Sequence, residues 1–266
     1  MRNATVLFIH GFWSSPATWD RIAARLNADA DLASLRIERF GYRSPKLSLP
    51  LLPTRIPDYN DIAQDLASYI DHQLPAGPLA IVTHSQGGLI LQRYLAWMVH
   101  EKRESGLARI ELIVMLACPN EGSEYLRSIR RAAGFGRHPQ ARDLRTLSAD
   151  VADARRTVMH HVRIPLHAYS GSSDNVVPRA SGQGPFQEVG SLPGDHFSIL
   201  NPDLPGSSTL PVLKDLLLQT FNKEPASREP AETQQPGTPG PKYVVNFHAP
   251  AINTSVGDGQ PSSGDS

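Results

Sequence analysis

The sequence predicts an α/β fold, a mainly parallel sheet with helices on its faces. Short apolar runs at 6–9, 79–82, 110–117 and 164–169, with an alternating run at 35–40, are each about the length of a strand. The stretches between several of them carry apolar residues at helical spacing, and strands alternating with helices of this length build βαβ units. The chain has 266 residues, enough for one large domain and an appendage.

Taken in order, 6–9 is a continuous apolar run and reads as a buried strand. A helix is predicted over 17–26, with Ile22, Ala23 and Leu26 on one face. Residues 35–40 alternate apolar and polar, as a strand does. Ile62, Leu66, Tyr69 and Ile70 place a helix over 58–74. A strand at 79–82 leads into a long helix over 87–104, stopped near Gly106. Strands follow at 110–117 and 164–169, and a helix over 210–221 closes a domain of residues 1–222. The helix over 87–104 includes Trp97 and Met98, which read as core.

Two segments break this rhythm. Residues 119–163 form an insertion with nine arginines and no lysine. It reads as a helical, lid-like element whose arginines could meet phosphate or lipid headgroups, or as a solvated helical pair in which Arg serves helix propensity. From 223 to 241 the chain becomes rich in Pro, Glu and Gln, the composition of a disordered linker. Residues 242–266 follow as a flexible, β-prone tail.

Composition narrows the function. Lys plus Arg equals Asp plus Glu at 26 each, so no basic field calls for nucleic acid and no acidic excess calls for a cationic partner. Cys118 is the only cysteine, which excludes an intrachain disulfide and fits a reducing compartment. It follows an apolar strand and reads as a buried, inert thiol. His160, His161 and His167 have no acidic ligand at useful spacing and read as surface or packing residues, so no metal is expected. The apolar run near the start is too short for a signal peptide, and no run approaches the ~18 residues of a membrane span. The expected location is the cytoplasm.

Thr83-His84-Ser85-Gln86-Gly87-Gly88 sits between the predicted strand 79–82 and the helix that follows. A strand–turn–helix with Ser at its apex presents the hydroxyl above the sheet edge, and the helix N-terminus favours developing negative charge. The pattern is G-x-S-x-G with Thr83 in place of the first Gly. Serine needs a base to accept its proton. Of ten histidines, His196 alone follows the candidate acids and precedes the final helix. Asp174, in the loop after strand 164–169, is the first choice to orient it. Glu121, after strand 110–117, is the rival. Asp195 cannot easily fold back onto its neighbour's imidazole. His10-Gly11-Phe12-Trp13 follows the first strand, where a backbone N–H of Phe12, or failing that Gly11, can join that of Gln86 as an oxyanion hole.

The order Ser, Asp, His, with His10–Trp13 near the start and His84–Gly88 in the middle, resembles the α/β-hydrolase superfamily over roughly residues 4–222. Ala117-Cys118-Pro119-Asn120-Glu121-Gly122-Ser123 resembles the TPHxGS-type stretch of lipase-like members, a group that includes GPI inositol-deacylase-like hydrolases. Asn120 stands where that stretch often has His. The chain also begins at the strand the superfamily counts as its third, so a short sheet is expected. The resemblance implies an α/β-hydrolase fold and a serine esterase acting on acyl esters, lipid or phospholipid esters among them, with no cofactor and with peripheral membrane contact as one option. The tail segment 242–259 is similar, loosely, to bacterial amyloid signalling motifs, which pair with like motifs on NLR-type receptors. That resemblance implies an assembly module brought together through the tail. A disordered tail or a strand docked on the domain is the alternative, and Pro250 interrupts any continuous zipper.

Overall fold

A computed structural model describes residues 1–12, 14–42, 59–120 and 143–223. Six parallel strands form one sheet in the order β2-β1-β3-β4-β5-β6: β1 (Ala4–Ile9), β2 (Leu35–Phe40), β3 (Leu79–His84), β4 (Ile110–Leu116), β5 (Leu166–Gly171) and β6 (Glu188–Leu192). The helices are α1 (Asp20–Ala28), α2 (Tyr59–His72), α3 (Gln86–His100), α4 (Asp143–His161), α5 (Arg179–Gln183) and α6 (Thr209–Phe221).

The central strands β1, β3 and β4 are mostly apolar and almost wholly buried because both faces of the sheet are covered, as parallel sheets require. Successive side chains point to opposite faces. Val6, Phe8, Ala80, Val82, Leu112 and Val114 join Ile22 and Leu26 of α1 and Leu213, Leu217 and Phe221 of α6 in one core. Leu7, Ile9, Leu79, Ile81, Ile113 and Met115 face the other way. There they meet Ile62, Leu66 and Ile70 of α2, Tyr94, Leu95 and Met98 of α3, and Val151 and Val158 of α4. Each of the large side chains among them is worth about 2–5 kcal/mol on truncation to Ala. Trp97 is partly buried against the second core. Its ring also carries the Arg103 guanidinium, 5.2 Å from the ring centre.

The α/β fold stands as expected, with several differences in its elements: the helix expected over 87–104 ends at His100 and a separate 3-10 turn, Glu104–Arg109, follows it, and the short α5 was not expected. The expected helix over 17–26 is a 3-10 turn, Pro16–Trp19, running into α1. The sheet also has a sixth strand that the apolar runs do not reveal. β6 reads Glu-Val-Gly-Ser-Leu and lies at an edge, where only one neighbour covers it. Val189 is 45% exposed, so burial imposes no apolar pattern there. Within the insertion, α4 packs on α3 and buries Val151, Ala154 and Val158. His160 and His161 end that helix on the surface, and His167 is half-buried in β5. Glu121, Arg127, Arg130, Arg131 and the whole tail 242–266 lie outside the described residues.

Candidate active site

Every predicted site residue that is described falls at the carboxyl ends of the strands. The chain runs β1 to β2 on one side and then crosses to β3 on the other side of β1. Loops diverge at such a switch point and leave a crevice. The loop after β1 and the turn after β3 flank this crevice.

Ser85 occupies the turn between β3 and α3. Its backbone is at φ 52° and ψ −125°, a positive-φ setting rare for a residue with a Cβ. Two bonds hold it there. Its N–H donates to the Leu116 carbonyl of β4 at 3.0 Å, and its carbonyl accepts from Gly88 N–H at 3.1 Å. The turn is tight enough that a Cβ on Gly87 would lie 2.6 Å from the Ile9 carbonyl oxygen and 2.7 Å from that of His10. Gly11 lies against the serine from the β1 side, where a Cβ would sit 2.8 Å from Ser85 Cβ. Thr83, the departure from the glycine pattern, places its hydroxyl 3.2 Å from Cys118 Sγ inside the core. Burial pushes the Cys118 thiol up to about 12, so this sulfur stays protonated.

His196 and Asp174 come to the serine from loops after β6 and β5. Asp174 Oδ2 accepts from His196 Nδ1 at 2.9 Å, and His196 Nε2 lies 3.0 Å from Ser85 Oγ. A carboxylate accepts only, so the imidazole proton sits on Nδ1 and Nε2 is left to accept from the hydroxyl. The other carboxylate oxygen, Oδ1, takes the backbone N–H groups of Val176 and Val177 at 2.8 Å each. These bonds aim the carboxylate independently of the imidazole. Both side chains are buried, which strengthens the interaction between them. Asp195 is occupied elsewhere. Its Oδ1 accepts from Phe197 N–H at 2.9 Å and Ser198 N–H at 2.7 Å, closing the turn after the histidine. Those hydrogen bonds hold the Asp195 carboxyl below its ordinary range.

Two residues that sequence reasoning missed complete the surroundings. Tyr42, just past β2, stacks on His10 with ring centres 4.2 Å apart. Its hydroxyl lies 2.8 Å from the His10 carbonyl oxygen and 3.3 Å from Gln86 Oε1, so one side chain spans the two predicted oxyanion segments. His84 bonds the main chain of His196. The position of His84 inside the serine motif was its only sequence signal, and Tyr42 had none.

A cleft of about 540 Å³ opens beside these groups, lined by Phe12, Ser14, Thr18, Arg21, Phe197 and Asn201 among others. Phe197, the residue after His196, is 70% exposed at its rim. Arg21 donates to Asn201 Oδ1 across it at 3.1 Å. Among the described residues no group of three His, Cys, Asp or Glu is placed to hold a metal ion, and no helix is long and apolar enough to cross a membrane.

A family model described as alpha/beta hydrolase family matches residues 6–185. The chain belongs to the α/β hydrolase family. Among solved structures, this α/β hydrolase is similar to a lipase of Bacillus licheniformis in its mature form, with TM-score 0.57, 18% identity and coverage of 80% of this chain and 91% of the other. A candidate aryl esterase of Burkholderia cenocepacia gives TM-score 0.53 and 21% identity over 83% and 92% of the two chains. A thioesterase from the prodiginine pathway of Streptomyces coelicolor gives 0.52 and 16% over 80% and 86%. At these identities the likeness is one of fold. No curated protein matches this α/β hydrolase in sequence.

Proposed function

We propose that this α/β hydrolase is a serine esterase. The observation that carries the reading is the Ser85 Oγ–His196 Nε2–Asp174 chain, at 3.0 and 2.9 Å, on a strained turn at the carboxyl end of the sheet. Ser85 Oγ attacks the acyl carbonyl carbon while His196 Nε2 takes its proton. The carbonyl oxygen becomes an oxyanion, held by the N–H groups of Phe12 and Gln86. His196 returns the proton to the departing alcohol, leaving an acyl-serine. Water then attacks, giving its proton to the same nitrogen, and the acid leaves as Ser85 is restored. Asp174 keeps the imidazole in the working tautomer and stabilises its cation. The residues supply the whole of this cycle, so it calls for no cofactor.

The finer proposal is that the esters are lipid or phospholipid esters met at a membrane surface in the cytoplasm. It rests on the lipase-like stretch 117–123 and the arginines of the insertion. The lipase and esterase among the structural neighbours agree with ester chemistry without naming a substrate. A fluorophosphonate probe should label the protein, and Ser85→Ala should abolish the labelling and the turnover of p-nitrophenyl esters. Near-normal turnover by that variant would overturn the assignment. A panel of p-nitrophenyl esters of graded chain length beside phospholipid vesicles then ranks the substrates. The second proposal, assembly through 242–259 with like copies or an NLR-type receptor, rests on the composition of the tail. It expects the peptide 243–256 to form fibrils with the ~4.7 Å cross-β spacing. A monomeric peptide at high concentration would count against it.

A further inference from the structure

His84 and Ser85 are consecutive, yet both reach the same distant residue. Ser85 Oγ meets the His196 imidazole at 3.0 Å, and His84 Nε2 lies 2.7 Å from the main-chain oxygen of His196. A carbonyl accepts only, so His84 Nε2 carries the proton and donates. Its Nδ1 is then unprotonated. That nitrogen is buried with no hydrogen-bond partner among the described residues, on the side of Gly11. The residue is 3% exposed. Its ring meets Trp19 edge-on at 6.5 Å and lies 5.0 Å from the His196 ring.

The loop that carries His196 is neither helix nor strand at that position. Bonds secure it on both sides: Ser173 N–H to the Gly194 carbonyl at 3.0 Å, Ile199 N–H to the Asp195 carbonyl at 3.2 Å, and the two bonds to the Asp195 carboxylate. The bond made to residue 196's own carbonyl comes from His84. Asp174 and Ser85 hold the imidazole at its two nitrogens, and the flanking bonds hold the backbone at residues 194, 195 and 197–199, but none of these bonds is made to the carbonyl of residue 196 itself. A displacement of about 1 Å in such a group can cost about 100-fold in rate.

We propose that His84 is a positioning residue: anchored next to the nucleophile, its Nε2–H holds the main chain of His196 where the imidazole reaches Ser85 Oγ. The proposal rests on the reading of Ser85, His196 and Asp174 as the catalytic set. Burial, then the neighbouring His196, pushes the His84 pKa down to about 3. The clamp therefore stays neutral, and adds no charge against the imidazolium that forms beside it.

Steady-state kinetics on a p-nitrophenyl ester with the full chain test this. His84→Phe keeps a ring and removes the donor. It should lower kcat by about 10- to 100-fold with KM within about twofold, because what is lost is alignment in the transition state. His84→Gln places an amide N–H near the position of Nε2 and should recover kcat to within about fivefold of the unaltered protein. His84→Asn carries the same amide on a chain too short to reach, and should behave like Phe. If the Phe variant fails to fold, the Gln and Asn pair gives the same comparison without a ring. A role confined to packing would set Gln and Asn alike in kcat per folded molecule, and that result overturns the proposal. Turnover that does not depend on Ser85 would overturn the catalytic reading, and the proposal with it. Ser85-dependent turnover with unchanged kcat in His84→Phe would overturn the proposal alone.

Discussion

Ser85→Gly should be more stable than Ser85→Ala, the reverse of the usual order for these two residues. Both variants lose the hydroxyl and its bond to His196 Nε2, so that loss cancels between them. What remains is the backbone at φ 52° and ψ −125°. Holding a residue with a Cβ in such a region costs of order 1–3 kcal/mol. Gly escapes that strain but gives up roughly 0.5–1 kcal/mol through the entropy of its unfolded chain. The difference favours Gly by about 1 kcal/mol, or roughly 2–4 °C in melting temperature for a domain of this size. Urea titrations followed by circular dichroism measure it, with equal slopes showing that the two unfolded states match. Ala96→Gly inside α3 is the control and should lose about 1 kcal/mol or more. A midpoint for Ser85→Gly below that of Ser85→Ala would show that the turn stores no strain at Ser85.

Asp174→Asn should lower kcat by up to about 10⁴-fold by upsetting the imidazole tautomer. Asp195→Asn should leave kcat within about tenfold and act on stability, by about 1 kcal/mol, because its bonds go to the turn; kinetics and melts on both separate the roles. Tyr42→Phe removes the hydroxyl between His10 and Gln86. It should cost about 0.5–1.5 kcal/mol of stability and roughly tenfold in kcat, with KM little changed. Burial, and then the facing His196 and His10, push the His84 pKa down to about 3 from an ordinary 6.5, against the opposing pull of the His196 carbonyl and Asp174. The stability this provides is complete above 6.5. It is lost as pH falls towards 3, by up to about 1.4 kcal/mol per pH unit, because the unfolded chain takes up a proton that the folded chain refuses. Urea midpoints between pH 4 and 6 should fall less steeply in His84→Gln, by about one proton. Deleting 223–266 should leave turnover of a small ester unchanged, and a loss of melting temperature would point to a docked tail.

Much of the candidate site was legible because its chemistry is tied to local pattern. Ser85 sits between an apolar strand and an apolar helix, and those periods mark the turn without reference to the rest of the chain. His196 and Asp174 followed from chain order and strand ends. Asp195 was set aside on reach alone, and its bonds to Phe197 and Ser198 account for it. Tyr42 was not legible. Its place beside His10 depends on β2 lying next to β1, which is a matter of strand order. β6 was hidden because an exposed edge strand has no need of apolar alternation. Thr83 looked like a departure from pattern, but its hydroxyl finds a partner in Cys118 Sγ at 3.2 Å.

Asn120 stands where the lipase-like stretch often has His, and its bonds show what this chain does with that position. Its Oδ1 accepts from Gln92 of α3 at 2.9 Å, its Nδ2 donates to the Gly182 carbonyl of α5 at 2.8 Å, and its N–H donates to Ser181 O at 3.0 Å. Its carbonyl accepts from Arg155 of α4 at 3.3 Å. The chain is thus fastened to three helices at the point where it leaves the sheet, and α4 fastens its return. Residues 121–142 join two independently secured ends. Their length can therefore change at an entropic cost of about 0.6 kcal/mol per doubling. Asn120 at one end and α4 at the other thus tie both ends of that span to the folded domain.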